Sequence, residues 1–337
     1  MDLSRKQYLN IKGFGIFLIM IHNFLDHLFK IECNEMTYSQ QNTEIFLSNL
    51  SSNPLGYIFS FAGWIGVPLF FFLSGYGLSK KYGKQHIDIY SYIKSHAIKL
   101  WKLLIPVYFL YIIVSHYFFG LNYQIKGVFC VITFTANCFA DTFFEPGVYW
   151  FFGAIFQFYI IYLIIRKFKS KWLFALMIAF LLIHYYALYS TDLTLLYIRY
   201  NFVGWTVPFI MGILYERNNV HIPMRYNAVI CIVSFVGLCI SLITKAFTPF
   251  IEIFMIFLTV SFVKTFSFNF FAFGGIVSSC VFVIHPFVRM ILKNTFFDSN
   301  FNNPLFLIII YVLITLSLSW GYNLILHKGG NKKRRSM

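Results

Sequence analysis

The sequence predicts an all-α integral membrane protein with about ten transmembrane helices and both termini in the cytoplasm. Charged residues make up 12% of the 337 positions, against roughly a quarter in soluble domains. The mean hydropathy is +0.70, and apolar runs long enough to cross a membrane recur along the whole chain. This composition excludes an ordinary soluble domain.

Ten apolar runs give the predicted order of the helices. A transmembrane helix needs about 20 mostly apolar residues. The runs that meet this requirement lie near 11–29, 57–79, 99–119, 149–166, 172–189, 199–216, 226–244, 248–264, 272–293 and 305–326. We expect one multispan domain over 1–337, with a core at 11–326 and a basic cytoplasmic tail at 327–337. The first run lacks a small-residue cleavage site, so we expect it to stay as the first helix. The apolar stretch within 119–148 is too short to span, and it either re-enters the membrane or lies at its surface.

The distribution of basic residues predicts the orientation of these helices. With the N-terminus inside, 21 of the 27 Lys and Arg residues lie in cytoplasmic segments, as the positive-inside rule requires. Most of the acidic residues lie in the loops on the other side. The net charge of +15 is therefore a topology signal with some attraction to anionic lipids, and it does not indicate nucleic-acid binding.

His22 is the first candidate catalytic residue, because an ionisable group inside a membrane helix costs roughly 2.5–3.5 kcal/mol on insertion scales. It lies ten residues past Lys12, about 15 Å along the first helix, and Asp26 follows one turn later on the same face. A neighbouring carboxylate can hold a histidine in one tautomer and make it a better general base. Alternatively, His22, Asp26 and His27 form the polar end of this helix at the membrane surface.

His285 is the second candidate, in the apolar run of the ninth predicted helix. Pro286 removes a backbone hydrogen bond there, so a carbonyl group and the imidazole become available side by side. The alternative is a buried core histidine whose polar atoms are satisfied by partners.

Ser74 and two lysines are the candidates on the cytoplasmic side. Ser74 lacks the G-x-S-x-G turn of a serine nucleophile, and Gly75 and Gly77 instead favour the close approach of another helix or of a flat ligand. Lys99 and Lys102 share a helix face, a geometry suited to binding phosphates. The alternative is that both are ordinary positive-inside anchors.

Taken in order, these motifs resemble those of the bacterial type 3 acyltransferases, multispan enzymes that O-acylate surface glycans and lipids. The similarity extends over nearly the full length. It rests on Lys12-Gly13 before His22, Phe70-Phe71-Phe72-Leu73-Ser74-Gly75-Tyr76, Lys99 and Lys102 before Pro106, Tyr149-Trp150-Phe151-Phe152, Pro208-Phe209-Ile210-Met211-Gly212, and Ser278 before His285-Pro286. The resemblance implies ten core helices, an acyl-CoA donor from the cytoplasm and a catalytic histidine at position 22.

Two departures from the family pattern concern basic residues. The family commonly has Arg, ten intervening residues and then His, whereas nine residues separate Lys12 from His22. Ten steps of about 100° put these side chains some 80° apart around the helix, so we do not expect Lys12 to partner His22 as the family Arg does. The expected donor-binding residues are Lys12, Ser74, Lys99 and Lys102. Lysine also lacks the fork with which arginine binds a phosphate, which leaves the donor identity open.

The resemblance implies an enzyme of the bacterial inner membrane with no bound cofactor or metal and with acyl-CoA, acetyl-CoA being favoured, as co-substrate. The expected partners are acyl-CoA, the hydroxyl group of a surface glycan or lipid-linked sugar, and the lipid bilayer. We expect Asp26 and His285 to assist His22. The alternative class is an exporter of a polysaccharide or small acid, since midplane histidines and helix-breaking Gly and Pro also occur in transporters. A structural scaffold would not explain the buried histidines.

Overall fold

Apolar helices account for nearly all of the structure. The computed structural model describes residues 3–29, 38–83, 85–138, 145–190, 198–218, 223–266, 268–297 and 304–334, and these include no strand. The helices are α1 (Arg5–Phe29), α2 (Gln40–Asn49), α3 (Pro54–Ala62), α4 (Val67–Tyr82), α5 (Ile89–Phe119), α6 (Ile125–Ile132), α7 (Trp150–Ile165), α8 (Ser170–Leu188), α9 (Phe202–Arg217), α10 (Met224–Ile243), α11 (Ile251–Thr265), α12 (Asn269–Leu292) and α13 (Pro304–Arg334). The all-helical prediction is confirmed.

Nine of the predicted spans coincide with helices that are long and apolar enough to cross a membrane, counted over the described residues. α3 and α4 form one of them, joined by the 3-10 segment Gly63–Gly66. The exception is α9, whose 16 residues fall short of the roughly 20 that a span needs. α9 packs against α4 and α8, and most of its side chains are buried. The chain is thus a multi-pass membrane protein, while the total of ten spans and the cytoplasmic termini stay predictions.

Lipid-facing surfaces are evident on the peripheral helices. In α8, α10 and α13 only 22% of the apolar window is buried within the protein, and large side chains such as Leu182, Ile232 and Leu313 are more than half exposed. A soluble protein rarely exposes apolar surface on this scale. These faces are suited to contact with lipid chains.

Glycines bring α1 and α12 into close contact. A methyl group on Gly13 would overlap the carbonyl oxygen of Phe271, and one on Gly275 would overlap the carbonyl oxygen of Leu9. Small residues of this kind let membrane helices approach closely, because packing replaces the hydrophobic driving force that is absent in lipid. The crossing fixes the position of α1, and with it that of His22.

The stretch 119–148 contains the short helix α6. The indole Nε1 of Trp101 donates a hydrogen bond to the carbonyl of Ile132 at the end of α6, at 2.7 Å. Trp101 lies 18 residues before Phe119, the end of α5, which is about 27 Å along the helix. The end of α6 therefore reaches well back along α5. Of the two sequence-based alternatives, this contact favours re-entry.

Candidate functional site

A cavity of ≈ 170 Å³ lies beside the second half of α1. Its lining is about half apolar and half polar, and Trp64 and Trp150 are its largest side chains. The polar and charged side chains in its lining are His22, Asn23, Asp26, Arg199 and Tyr200. Polar groups that converge on a pocket with apolar and aromatic walls are typical of a small-molecule site. The fold therefore brings α1 and the segment before α9 together around one candidate site.

His22 is held in a single tautomer. Its ring is 7% exposed, and Nδ1 lies 2.7 Å from the carbonyl oxygen of Ser60 in α3. A carbonyl oxygen can only accept a hydrogen bond, so Nδ1 carries the proton and donates it. The other nitrogen, Nε2, then has the lone pair that a general base needs. Because His22 is buried, it is not part of a solvated helix end.

Asp26 is half-buried and lines the same cavity one turn after His22. The structure thus brings together the two residues that their spacing selected. The role of fixing the tautomer, which the sequence assigned to Asp26, falls to the Ser60 carbonyl at Nδ1. Asp26 instead contributes a carboxylate to the cavity wall. The side chain of His27 lies outside the described residues.

Two arginines that the sequence reasoning missed lie beside the cavity. Arg199 lines it, and Arg289 of α12 donates from Nη1 to the backbone carbonyl and to Oδ1 of Asn23, both at 3.2 Å. Both guanidinium groups are within electrostatic range of His22. Positive charge at these positions stabilises negative charge that develops on a reacting oxygen.

His285 is not part of the cavity lining. Its ring is fully buried, and Nδ1 donates to the carbonyl of Val281 at 3.1 Å. Phe282, on the adjacent turn of α12, is the lining residue. The hydroxyl of Tyr149 donates to the carbonyl of Val283 at 2.8 Å and ties the segment before α7 to this part of α12. His285 therefore lies behind the wall of the cavity, and among the described residues no hydrogen-bond partner is found for its Nε2.

Three lysines gather towards the other end of α1, and we call Lys12, Lys81 and Lys99 the lysine cluster. Lys12 is within electrostatic range of Lys99, and Lys99 is within range of Lys81. No carboxylate among the described residues contributes to the electrostatic environment of Lys12 or Lys99. Positive charges held together in this way can bind an anion such as a phosphate.

The remaining sequence candidates lie outside both groups. The Ser74 hydroxyl donates to the carbonyl of Phe70 in its own helix, at 2.7 Å, as membrane serines commonly do. A methyl group on Gly75 would overlap the carbonyl oxygen of Phe209 in α9, so the packing role of Gly75 is confirmed. Lys102 is exposed, and its backbone carbonyl accepts a hydrogen bond from the Tyr322 hydroxyl at 2.9 Å.

The site thus has two parts at different depths. A histidine with a fixed tautomer lies in the cavity, and Lys12 of the lysine cluster lies about 15 Å away along α1. Among the described residues, no group of three or more His, Cys, Asp or Glu side chains is arranged to hold a metal ion. This arrangement can bind a phosphate-bearing molecule at one end and remove a proton from a hydroxyl group at the other.

Gly63 provides a test of the position of His22. A methyl group on Gly63 would lie 2.5 Å from the Cβ of His22 and 3.0 Å from the carbonyl oxygen of Leu18. Gly63→Ala should therefore displace the His22 ring and lower the turnover rate about three- to tenfold, since small misplacements of a catalytic group reduce rates strongly. The rate should be measured at saturating substrate in membranes with matched protein content.

The matched control for this change is Gly321→Ala on α13, where an added methyl group meets nothing within 4 Å. It should leave the rate unchanged. Equal rates for Gly63→Ala and the wild type would show that the position of His22 is not limiting.

Comparison with known proteins shows a match to a family model. The family model described as an acyltransferase domain, of type 3, matches residues 7–324, which is nearly the whole chain. The matched range includes both the cavity and the lysine cluster. No curated protein and no solved structure matches the chain.

Proposed function

The chain belongs to the type 3 acyltransferase family, and we propose that it moves an acyl group from cytoplasmic acyl-CoA to a hydroxyl group of a surface glycan or lipid-linked sugar. On family grounds the favoured acyl group is acetyl. The observation that carries the proposal is the pairing of His22, a base of fixed tautomer, with the lysine cluster, to which the same helix contributes Lys12. We place the protein in the bacterial inner membrane with both termini in the cytoplasm.

The lysine cluster would hold the phosphate groups of the donor. The three positive charges of the cluster are opposite in sign to the phosphates at the nucleotide end of coenzyme A. A long flexible arm separates these phosphates from the thioester. The phosphates can therefore bind at the cytoplasmic end of α1 while the thioester reaches the cavity beside His22.

The cavity would carry out the transfer. The Nε2 atom of His22 removes the proton from the acceptor hydroxyl as the oxygen attacks the thioester carbonyl carbon. The tetrahedral intermediate places negative charge on the former carbonyl oxygen, near the guanidinium groups of Arg199 and Arg289. The C–S bond then breaks, the ester leaves with the acceptor, and the coenzyme A thiolate takes the proton from His22.

A second route uses the same residues in a different order. The Nε2 atom of His22 attacks the thioester carbonyl carbon first, the C–S bond breaks, and coenzyme A leaves as the thiolate. The acceptor hydroxyl then attacks the acyl-imidazole, the C–N bond to Nε2 breaks, and the hydroxyl proton is passed on to the thiolate. Incubation with labelled acyl-CoA in the absence of acceptor separates the two routes. The covalent route labels His22 with release of one equivalent of coenzyme A, whereas direct transfer leaves the protein unlabelled.

The proposed function predicts transfer of label from donor to acceptor. The purified protein in lipid nanodiscs should convert isotopically labelled acetyl-CoA and a lipid-linked sugar into labelled O-acetyl ester and free coenzyme A, detected by mass spectrometry. Protein that consumes no acyl-CoA, but whose expression in cells is required for glycan export, would contradict the proposal and support the exporter alternative.

A further inference from the structure

Trp64 lines a second, smaller cavity in addition to the one that contains His22. It shares this cavity, of ≈ 10 Å³, with His184 of α8 and Glu252 of α11. All three side chains are buried, with exposed fractions of 1% for Trp64, 7% for His184 and 3% for Glu252. An ionisable group inside a membrane protein is a functional candidate by default, and this cavity has two.

Four buried polar atoms of these residues have no hydrogen-bond partner in the part of the chain that the structure describes. They are Nε1 of Trp64, Nε2 of His184 and both carboxyl oxygens of Glu252. Thr248 also lines the cavity, but its hydroxyl donates to the carbonyls of Ser241 and Thr244. Buried polar groups almost always have partners. Four such atoms around one cavity therefore indicate a ligand that binds through hydrogen bonds.

The size and chemistry of the cavity select water as this ligand. A volume of ≈ 10 Å³ is about the minimum for one water molecule, and it excludes a sugar or an acyl chain. The Trp64 indole can only donate, whereas His184 can accept at Nε2 and Glu252 can accept at a carboxyl oxygen. One water can accept from Trp64 and donate to His184 and Glu252, which gives the three hydrogen bonds that buried waters typically make.

We propose that Glu252, His184 and Trp64 form a buried water site whose water holds the Trp64 indole in place as a wall of the His22 cavity. Trp64 is then a positioning residue for the acceptor, and Glu252 and His184 act through it. An indole face can pack against the apolar face of a sugar ring, so the orientation of Trp64 affects acceptor binding. This consequence rests on the proposed function, whereas the water site itself does not.

The water site can be tested without an activity assay. Ultraviolet resonance Raman spectra report hydrogen bonding of the indole N–H, and the difference between the wild type and Trp64→Phe isolates the signal of Trp64. We expect a hydrogen-bonded indole in the wild type and a shift towards a free N–H in Glu252→Leu, which replaces the carboxyl group with an apolar one of similar size. Glu252→Gln keeps two hydrogen-bonding atoms and should resemble the wild type.

A second variant allows the same test if Glu252→Leu fails to fold. His184→Leu removes the other acceptor and should produce a shift in the same direction if Glu252→Leu fails to fold. A free indole N–H in the wild type, or a Trp64 signal that is unchanged in the folded apolar variants, would overturn the water site.

The positioning role is tested by kinetics. Glu252→Leu should raise KM for the acceptor about three- to tenfold and leave KM for acyl-CoA unchanged. In the Trp64→Phe background the same change should have no further effect, because coupled residues are not additive. A normal acceptor KM together with the Raman shift would overturn the positioning role alone. Absence of acyl transfer in the wild type would count against the proposed function and leave the Raman result to decide the water site.

Discussion

His22→Ala should reduce acyl transfer by roughly 10²-fold or more while folded protein stays in the membrane, which is the scale expected for loss of a general base. The physical reason is the fixed tautomer: Nδ1 donates to the Ser60 carbonyl, so only Nε2 can take the acceptor proton. Alanine has no group that could replace it. The measurement is mass spectrometry of O-acyl groups on surface glycan from cells that carry each variant at matched protein levels.

Two other histidines serve as comparisons in the same assay. His116 is exposed at the end of α5, and its Nδ1 donates to the carbonyl of Leu121 at 3.0 Å, so His116→Ala should leave acylation unchanged. His285→Ala should lower it less than His22→Ala, because His285 is not in the cavity lining. Unchanged O-acylation in His22→Ala would exclude it as the base and favour the exporter.

The helices and His22 could be predicted from the sequence because both follow from the cost of placing groups in lipid. Apolar runs must form helices in lipid, and a histidine deep in such a run is costly enough that a functional role is its default explanation. The partner of His22 could not be predicted. It is a backbone carbonyl 38 residues away. Every residue has such a carbonyl, so the sequence does not indicate which one contacts His22.

The arginines beside the cavity left a weak signal in the sequence. With 21 basic residues assigned to the cytoplasmic side, the positive-inside rule leaves six on the other side: Lys30, Lys126, Arg199, Lys245, Arg289 and Lys293. Each of these needs an explanation other than topology. Which of them turn inwards is decided by tertiary packing, such as the contact of Arg289 with Asn23.

His22 was chosen as a candidate because placing an ionisable group in a membrane helix costs free energy, and the same reasoning applies to Glu252 and His184. Glu252 lies among apolar residues at the start of α11, and His184 lies in the apolar helix α8. Sequence reasoning passed over both, since neither belongs to a recognised motif. Only the fold reveals that they share a cavity with Trp64.

Lys99→Glu should raise the apparent KM for acyl-CoA by about tenfold or more, because a hydrogen bond to a charged group contributes about 1.5–3 kcal/mol and each 1.4 kcal/mol is a factor of ten. Lys99 is exposed and belongs to the lysine cluster. Charge reversal therefore replaces an attraction for phosphate with a repulsion. The turnover rate at saturating acyl-CoA should change little, since the lysine takes no part in the bond-making step.

Lys102→Glu is the matched control, because it makes the same charge change one turn further along α5. Lys102 is exposed and lies outside the lysine cluster, so its effect on KM should stay within about twofold. Lys99→Arg should retain most of the donor affinity, because arginine keeps the positive charge. If both lysines serve only as positive-inside anchors, the two Glu variants should lower the amount of inserted protein equally and leave KM at its wild-type value. A selective rise in KM for Lys99→Glu alone requires a phosphate-binding role, because topology depends on the number of charges near a membrane boundary and not on which of two neighbouring lysines carries them.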